Sequence, residues 1–471
     1  MPLILGTNSI KDTGFSVSNS LRFDTVGSEN LKFTPSTYSS STTGTFSWWI
    51  KRGLLSNEGY TVIWSNTYTN DNNRTYISIN GNDQLGTSVQ YSGSSNNTYT
   101  NMVLRDTSAW YHCVIRYNST ESSQSDRVKI WVNGQLQSLS SSAGTPTGGI
   151  TAFQTSLSAA HGWNFIYGSP GSGLQNAYLA QCVYCDGQAL SASDFGEYDT
   201  DSPTIWKPKN LSDLNFGNNG YYLDYGDSSN LGADVSGNGN NLTSSGFSSD
   251  NHVTDTPTNN FATFNPIETY PETTLSDGNL KSTRSAGSYR SAFSTIAVTT
   301  GKWYAEFKVA DVANGSGVGV INLDKTPFGT YMSGTEKFIG LNTNAVGLFS
   351  NILYYNNVNQ GGTWTAWSNG DIIGIALDVT NGYVYFSVNG TFQNSGNPTA
   401  GSGGYALSNI GSNGTYMIGS SNSSNSTEAN FGNPPYSVSS GNSDANGFGN
   451  FEYAVPSGYY ALNTKNLAEF G

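Results

Sequence analysis

Two segments far apart in the chain are built to the same plan: Val128-Lys-Ile-Trp-Val-Asn-Gly134 and Val384-Tyr-Phe-Ser-Val-Asn-Gly390. In the first, Val128, Ile130 and Val132 alternate with Lys129 and Trp131, the two-residue period of a half-buried strand. Each segment closes on Asn-Gly, a pair that tolerates the positive φ a tight hairpin demands. The same alternation recurs elsewhere. Phe46, Trp48 and Ile50 interleave with Ser47, Trp49 and Lys51. Trp303, Ala305, Phe307 and Val309 share one face, with Tyr304, Glu306 and Lys308 on the other. Short strands spaced by turn residues predict an all-β chain with almost no helix.

The 471 residues suffice for two or three domains. Charged residues are only 11% and aromatic residues 13%, so the chain is not of the disordered class. With 20 Lys and Arg, a net charge of −13 and no basic run, the sequence offers no stripe for phosphate; nucleic acid and anionic membrane are excluded as expected partners. No apolar run reaches the roughly 18 residues that membrane insertion requires. The opening Met-Pro-Leu-Ile-Leu-Gly has no basic n-region and too short an apolar core for a signal peptide, so export by the general pathway is not expected.

The pattern divides the chain into an N-terminal arm (1–20), a first sandwich (21–210), a Gly/Asn-rich extended connector (211–262), a second sandwich (263–433) and a C-terminal extended segment (434–471). In the first sandwich, Trp110-Tyr-His112, Val128 to Gly134 and Gly187-Gln-Ala-Leu-Ser191 come in the order of a laminin-G or concanavalin A-like jelly roll, which this half resembles. In the second, Gly301-Lys-Trp-Tyr-Ala-Glu306, Gly370-Asp-Ile-Ile-Gly-Ile-Ala-Leu-Asp378 and Phe386-Ser-Val-Asn-Gly390 are similar to the SPRY (B30.2) β-sandwich family. That resemblance implies a binding module that uses loops at one end, here Asn322 to Tyr331 and Tyr354 to Trp367. With Trp206-Lys-Pro-Lys209, Ser236-Gly-Asn-Gly-Asn-Asn241 and Asp255-Thr-Pro-Thr-Asn259, the whole order resembles tail-fibre or adhesin-type structural proteins of bacteriophages, often marine ones.

Catalytic groups are scarce. Glu197-Tyr-Asp199-Thr-Asp201 is the string nearest to a glycosidase pair, but it lies in a turn before Pro203, without the strand that would hold two carboxylates about 5 Å apart. The histidines are His112, His161 and His252, and no G-x-S-x-G elbow appears. Cys182 and Cys185 lie within one strand, where residues three apart face opposite ways, so buried reduced thiols are expected along with Cys113. The one ion the sequence offers a place for is Ca²⁺: Asp234, Ser236, Asn238 and Asn240 put oxygens at alternate positions of a Gly-rich loop. The other reading of that loop is a set of turns stapled by Asx and Ser side chains. For glycan, the residues that combine stacking rings with hydroxyl-binding groups are Tyr68, Asn72, Arg74, Trp163, Tyr354, Tyr355, Trp364 and Trp367.

These readings converge on a non-enzymatic virion protein, a tail-fibre or tail-associated adhesin for host surface glycan. It would assemble in the host cytoplasm as a homo-oligomer, a trimer by the resemblance, docked to other virion proteins by its first 20 residues. A capsid-decorating or head-fibre protein and a polysaccharide depolymerase are the alternatives.

Overall fold

The computed structural model describes residues 12–24, 29–33, 42–55, 60–66, 74–91, 94–140, 163–165, 176–269, 272–310, 315–325 and 338–471. The chain forms two compact units, Thr13–Thr258 and Asn259–Gly471. Both are all-β, built from antiparallel sheets with a single parallel pairing among the described strands.

In the first unit, one sheet runs outward from the strand pair Thr43–Arg52 and Trp110–Asn118, joined in register from Thr43↔Asn118 to Lys51↔Trp110. Val128–Val132 extends it on one side, and Ala177–Asp186, Ser20–Phe23 and His252–Val253 on the other. Facing it is a second sheet that includes Asn30–Phe33, Arg74–Ile79, Gln84–Tyr91 and Ser94–Val103. Leu21, Phe46, Trp48, Ile50, Cys113, Ile115 and Ile130 meet Leu31, Phe33, Ile77, Ile79 and Leu85 between them. Asn133 and Gly134 have φ of 47° and 77°, the left-handed pair expected of the hairpin.

The outer face of the first sheet is covered too. Trp49, Trp110, Tyr178 and Val253 form one small core there, and Val114, Val183, Cys185, Phe195, Leu211 and Phe216 another. A bulge at Gln181, φ 43°, shifts the register between Ala180 and Val183. After it, Cys182 faces the main core and Cys185 the outer one, so the two thiols stay apart, buried and reduced with Cys113.

The expected extended connector needs correction. Residues 211–258 belong to the first unit: Tyr221–Leu223 pairs with Ala177–Asp186, Thr243–Ser245 with Asn30–Phe33, and His252–Val253 with Ser20–Phe23. Tyr221, Leu223, Tyr225 and Leu242 are buried in the core. The Gly and Asn there serve tight turns rather than a linker. Of the N-terminal arm, residues 1–11 lie outside the described residues. Val17 exchanges hydrogen bonds with the Thr258 hydroxyl within this unit.

In the second unit, one sheet is centred on Lys302–Val309, flanked by Ile372–Asp378 and Ser426–Asn430. The other is ordered Arg290–Phe293, Tyr416–Asn422, Ser316–Asn322, Ala345–Phe349, Ile352–Tyr355 and Val358–Asn359. Trp303, Phe307, Ile373 and Ile375 pack against Val318, Val320, Val346, Leu348 and Ile418. The C-terminal segment is not merely extended. Tyr460–Ala461 pairs in parallel with Lys302–Val309, and Thr464–Phe470 forms an α-helix, N-capped by the Asn463 side chain on the Asn466 N–H. Tyr221–Leu223 and Tyr460–Ala461, similar in sequence, thus play similar parts, each a short strand laid against a sheet. Among the described residues, no helix is long and apolar enough to cross a membrane.

Candidate ligand-binding site

The second unit holds a cavity of about 360 Å³ lined by five aromatic side chains together with polar ones. It is built by two edge hairpins. Phe349 pairs with Ile352, with Ser350 at φ 50° between them, and Tyr355 pairs with Val358 across Asn356 and Asn357, φ 50° and 57°. Along these strands Val346, Leu348 and Leu353 point into the core, so Phe349 and Tyr354 take the outer face. Tyr289 and Phe338 join them. The four rings meet edge to face: Tyr289–Phe338 at 5.7 Å, Phe338–Phe349 at 5.1 Å, Phe349–Tyr354 at 5.9 Å. This is the packing the ring quadrupole favours. Two glycines make room. A Cβ at Gly317 would sit 2.2 Å from Phe349, and one at Gly315, φ +80°, 2.1 Å from the Tyr289 hydroxyl.

Asn351 and Asn357 are exposed at the cavity and Ser350 brings a hydroxyl to it, whereas the Ser316 hydroxyl is taken up by Asn422 and Asn425. None of the described lining residues is charged. Trp367 completes the wall; its backbone N–H donates to Ser350 Oγ at 3.3 Å. The indole is 5% exposed, and its Nε1–H, shut away from solvent, has no acceptor among the described residues. An orphaned buried donor of this kind costs about 1–3 kcal/mol.

Of the residues singled out for glycan, Tyr354 and Trp367 come together here. Tyr355 packs instead against the second-unit core and Tyr405. Trp364 packs on Phe386 and gives its indole N–H to the Gly361 carbonyl at 2.7 Å. Tyr68, Asn72 and the side chains of Arg74 and Trp163 lie outside the described residues, as does His161. Tyr289, Phe338 and Phe349 escaped the sequence reading. The signal available was Gly315-Ser-Gly-Val-Gly319, a run that spares one sheet face of side chains.

The loop read as a calcium site does not fit a cation as it is arranged. Asp234 Oδ1 accepts the N–H groups of Tyr222 and Ser236, both at 2.9 Å; Oδ2 accepts the Ser236 hydroxyl at 2.9 Å and the Asn240 N–H at 2.8 Å. Asn238 and Asn240 turn their Nδ2 groups inward, onto the Gly220 carbonyl at 2.9 and 2.8 Å. Donors, not lone pairs, fill the loop. Among the described residues no group of three or more His, Cys, Asp or Glu could hold a metal ion. Chelation with EDTA is therefore expected to leave the melting temperature unchanged; a fall on chelation would put a cation back in the loop.

Other groups that suggest chemistry are structural. Ser47 Oγ lies 2.9 Å from His112 Nε2, but the Trp206 indole donates to Nδ1 at 3.0 Å. An indole N–H can only donate, so the imidazole proton sits on Nε2 and points at Ser47. That tautomer cannot take a proton from the serine. The ring is stacked between Trp49 and Trp206, and burial drives its pKa down to about 3. Asp199 accepts from the Ser202 and Asp201 N–H groups and pairs with Lys207 at 3.1 Å, closing a turn. Glu306, expected on an outward face, is fully buried. Its Oε1 accepts from Tyr453 N–H at 2.8 Å and Tyr304 Oη at 3.2 Å, and its Oε2 from Glu452 N–H at 2.9 Å and Asn430 Nδ2 at 3.3 Å. Burial pushes its pKa up to about 7 against these donors. Phe451, Tyr459 and Ala461 cover that face, which is why it is not solvated.

No family model matches the chain, and no curated protein matches it. Solved structures similar to part of it include the SPRY domain of human HERC1 (16% identity, TM-score 0.27, 35% of this chain and 96% of that one). The TRIM65 PSpry domain is similar at 16% identity and TM-score 0.28, over 36% of this chain and 87% of that one. The heptameric SAP-like pentraxin of Limulus polyphemus is similar at 14% identity and TM-score 0.28, over 38% and 80%. At such scores the likenesses carry no residue role across.

Proposed function

We propose that this chain is a non-enzymatic virion adhesin of the tail-fibre type, and that it binds host surface glycan in the aromatic pocket of its second unit. The observation that supports the reading is the composition of that pocket: rings packed edge to face, exposed amides at Asn351 and Asn357, and no charge among the described lining residues. Sugars present apolar C–H faces to rings and hydroxyls to amides, and a ligand pocket of a few hundred Å³ with few polar groups is of the ordinary kind. The Ser47–His112 pair and the Asp199 turn supply no nucleophile, base or carboxylate pair for hydrolysis. The docking on other virion proteins expected of residues 1–20 is assigned to the part of that arm before Thr13, since Val17 and Ser20 are buried in the first unit, and the assembly is taken as a homotrimer.

The test titrates the full chain against host surface polysaccharide and follows tryptophan fluorescence, with Tyr354→Ala beside it. Saturable binding that weakens about tenfold in Tyr354→Ala is expected, from the loss of one stacking ring. Absence of binding, or binding that Tyr354→Ala leaves untouched, overturns the reading. Release of reducing ends would make the protein a depolymerase. Immunogold label over the head of intact particles, rather than the tail, would make it a decoration protein.

A further inference from the structure

We propose that Lys51 and Asp255 condense after folding into an amide between their side chains, a covalent tie within the first unit. Lys51 Nζ lies 2.7 Å from Asp255 Oδ2, and both side chains are shut away from solvent. The pair links the strand Thr43–Arg52 to the chain just past His252–Val253. Trp49, Trp110, Tyr178 and Val253 pack around this region of the sheet's outer face. Other lysine–carboxylate pairs keep their amine wetter: Lys302, beside Asp378, is 28% exposed, and Lys281, beside Glu428, is 31% exposed.

Three features favour reaction at this pair. The first is contact. An oxygen hydrogen-bonded to the amine brings the carboxyl carbon close to near-attack range, about 3–3.5 Å, and groups held so react as if at very high concentration. The second is dryness. In water an amine and an acid stay apart as two well-solvated ions; in a closed site those charges cost free energy, whereas the amide carries none. Burial also pulls the Lys51 pKa down, toward the uncharged amine that attacks. The third is the Trp110 indole, whose N–H donates to Asp255 Oδ1 at 3.1 Å, the oxygen on which negative charge grows.

The step balances without a co-reactant. One proton passes from the ammonium to Oδ2 across their hydrogen bond. The amine lone pair adds to Cγ, and an electron pair of the C=O bond moves onto Oδ1, held by Trp110. A second proton passes from nitrogen to Oδ2, the Cγ–Oδ2 bond breaks, and Oδ2 leaves as water. The new Nζ–Cγ bond keeps one hydrogen on nitrogen, and nothing is oxidised or reduced. With one donor on Oδ1 the step is slow, so the freshly folded chain holds the ion pair. Once formed, the bond joins positions 204 apart in the chain. Pulling on the two ends of the unit then loads that bond rather than the strands between.

Intact-mass spectrometry of the full chain, taken at intervals after folding, tests the bond. The mass is expected to fall by one water from that of the freshly folded chain. A tryptic digest of the aged chain, made under denaturing conditions, is expected to yield a branched peptide joining the Lys51 segment to the Asp255 segment. Lys51→Arg keeps the charge and removes the amine, and is expected to hold its full mass. A mass that stays constant over days overturns the proposal. So does a water lost without the branched peptide, or lost equally in Lys51→Arg, since Asp186-Gly187 and Asp277-Gly278 are places where an aspartate can cyclise instead. The mass and the branched peptide are read on the unaltered chain, so a Lys51→Arg variant that fails to fold does not block the test.

Discussion

Asp255→Ala is expected to destabilise the first unit by about 3–5 kcal/mol, because it leaves a buried ammonium without its carboxylate. Lys51 Nζ lies 2.7 Å from Asp255 Oδ2, with both side chains shut away from solvent. The Trp110 indole donates to Oδ1 at 3.1 Å, and the Tyr178 ring sits 5.4 Å from the ammonium. Burial pulls the Lys51 pKa down, and Asp255 is the main influence holding it up. The Ser20 hydroxyl also donates to the Asp255 carbonyl at 2.6 Å, so the same residue ties an edge strand in place. Replacing both partners with apolar residues of similar size, Lys51→Met with Asp255→Leu, should recover most of the loss, since a buried pair is replaceable even where one half alone is not. Urea unfolding followed by tryptophan fluorescence reads both. A loss under about 1 kcal/mol in Asp255→Ala would place the pair among exposed salt bridges in its energetic weight.

The two units are expected to answer pH with opposite signs. His112 is buried as the neutral ring, and its folded pKa, about 3, lies below its unfolded value of 6.5. Its contribution is complete above pH 6.5 and drains away as pH falls toward 3, by about 4–5 kcal/mol in all. Glu306 is the reverse case. Its folded pKa, about 7, lies above its unfolded value of 4.5, so its contribution is complete below pH 4.5 and is lost as pH rises toward 7, by about 3 kcal/mol. Between pH 6.5 and 5, hydrogen exchange should therefore show the Trp110–Asn118 strand opening more readily and the Lys302–Val309 strand less readily. His112→Gln keeps the donor and acceptor and removes the titration, so it should flatten the first trend alone. Parallel trends in the two strands would refute the assignment.

Strand alternation carried the architecture wherever one face was the core. Val128, Ile130 and Val132, and likewise Trp303, Ala305, Phe307 and Val309, are buried as their spacing requires. Asn389 and Gly390, φ 48° and 77°, repeat the left-handed hairpin of Asn133 and Gly134. The reading failed on the other faces. Trp49, Lys51, Tyr304 and Glu306 sit at the positions assigned to solvent, and each is buried, because distant segments such as 251–255 and 451–461 lie over them. A local period cannot report a cover that arrives from far along the chain. For the same reason the Gly/Asn-rich stretch after Tyr225 looked like a linker, and the pocket yielded two of its rings while Tyr289, Phe338 and Phe349, from three separate segments, stayed hidden.

The pairing of Ser20–Phe23 with His252–Val253 has a consequence for how the protein is made. Leu21 and Phe23 leave the ribosome early, yet the strand that seals their sheet edge is translated more than 200 residues later. At about 5–20 residues per second that is a wait of roughly 10–50 s with a hydrophobic strand edge open. Closing such distant contacts is slow in itself, because the loop entropy is lost before the contact forms. That edge is thus closed by the arrival of His252–Val253, not by the completion of any earlier hairpin.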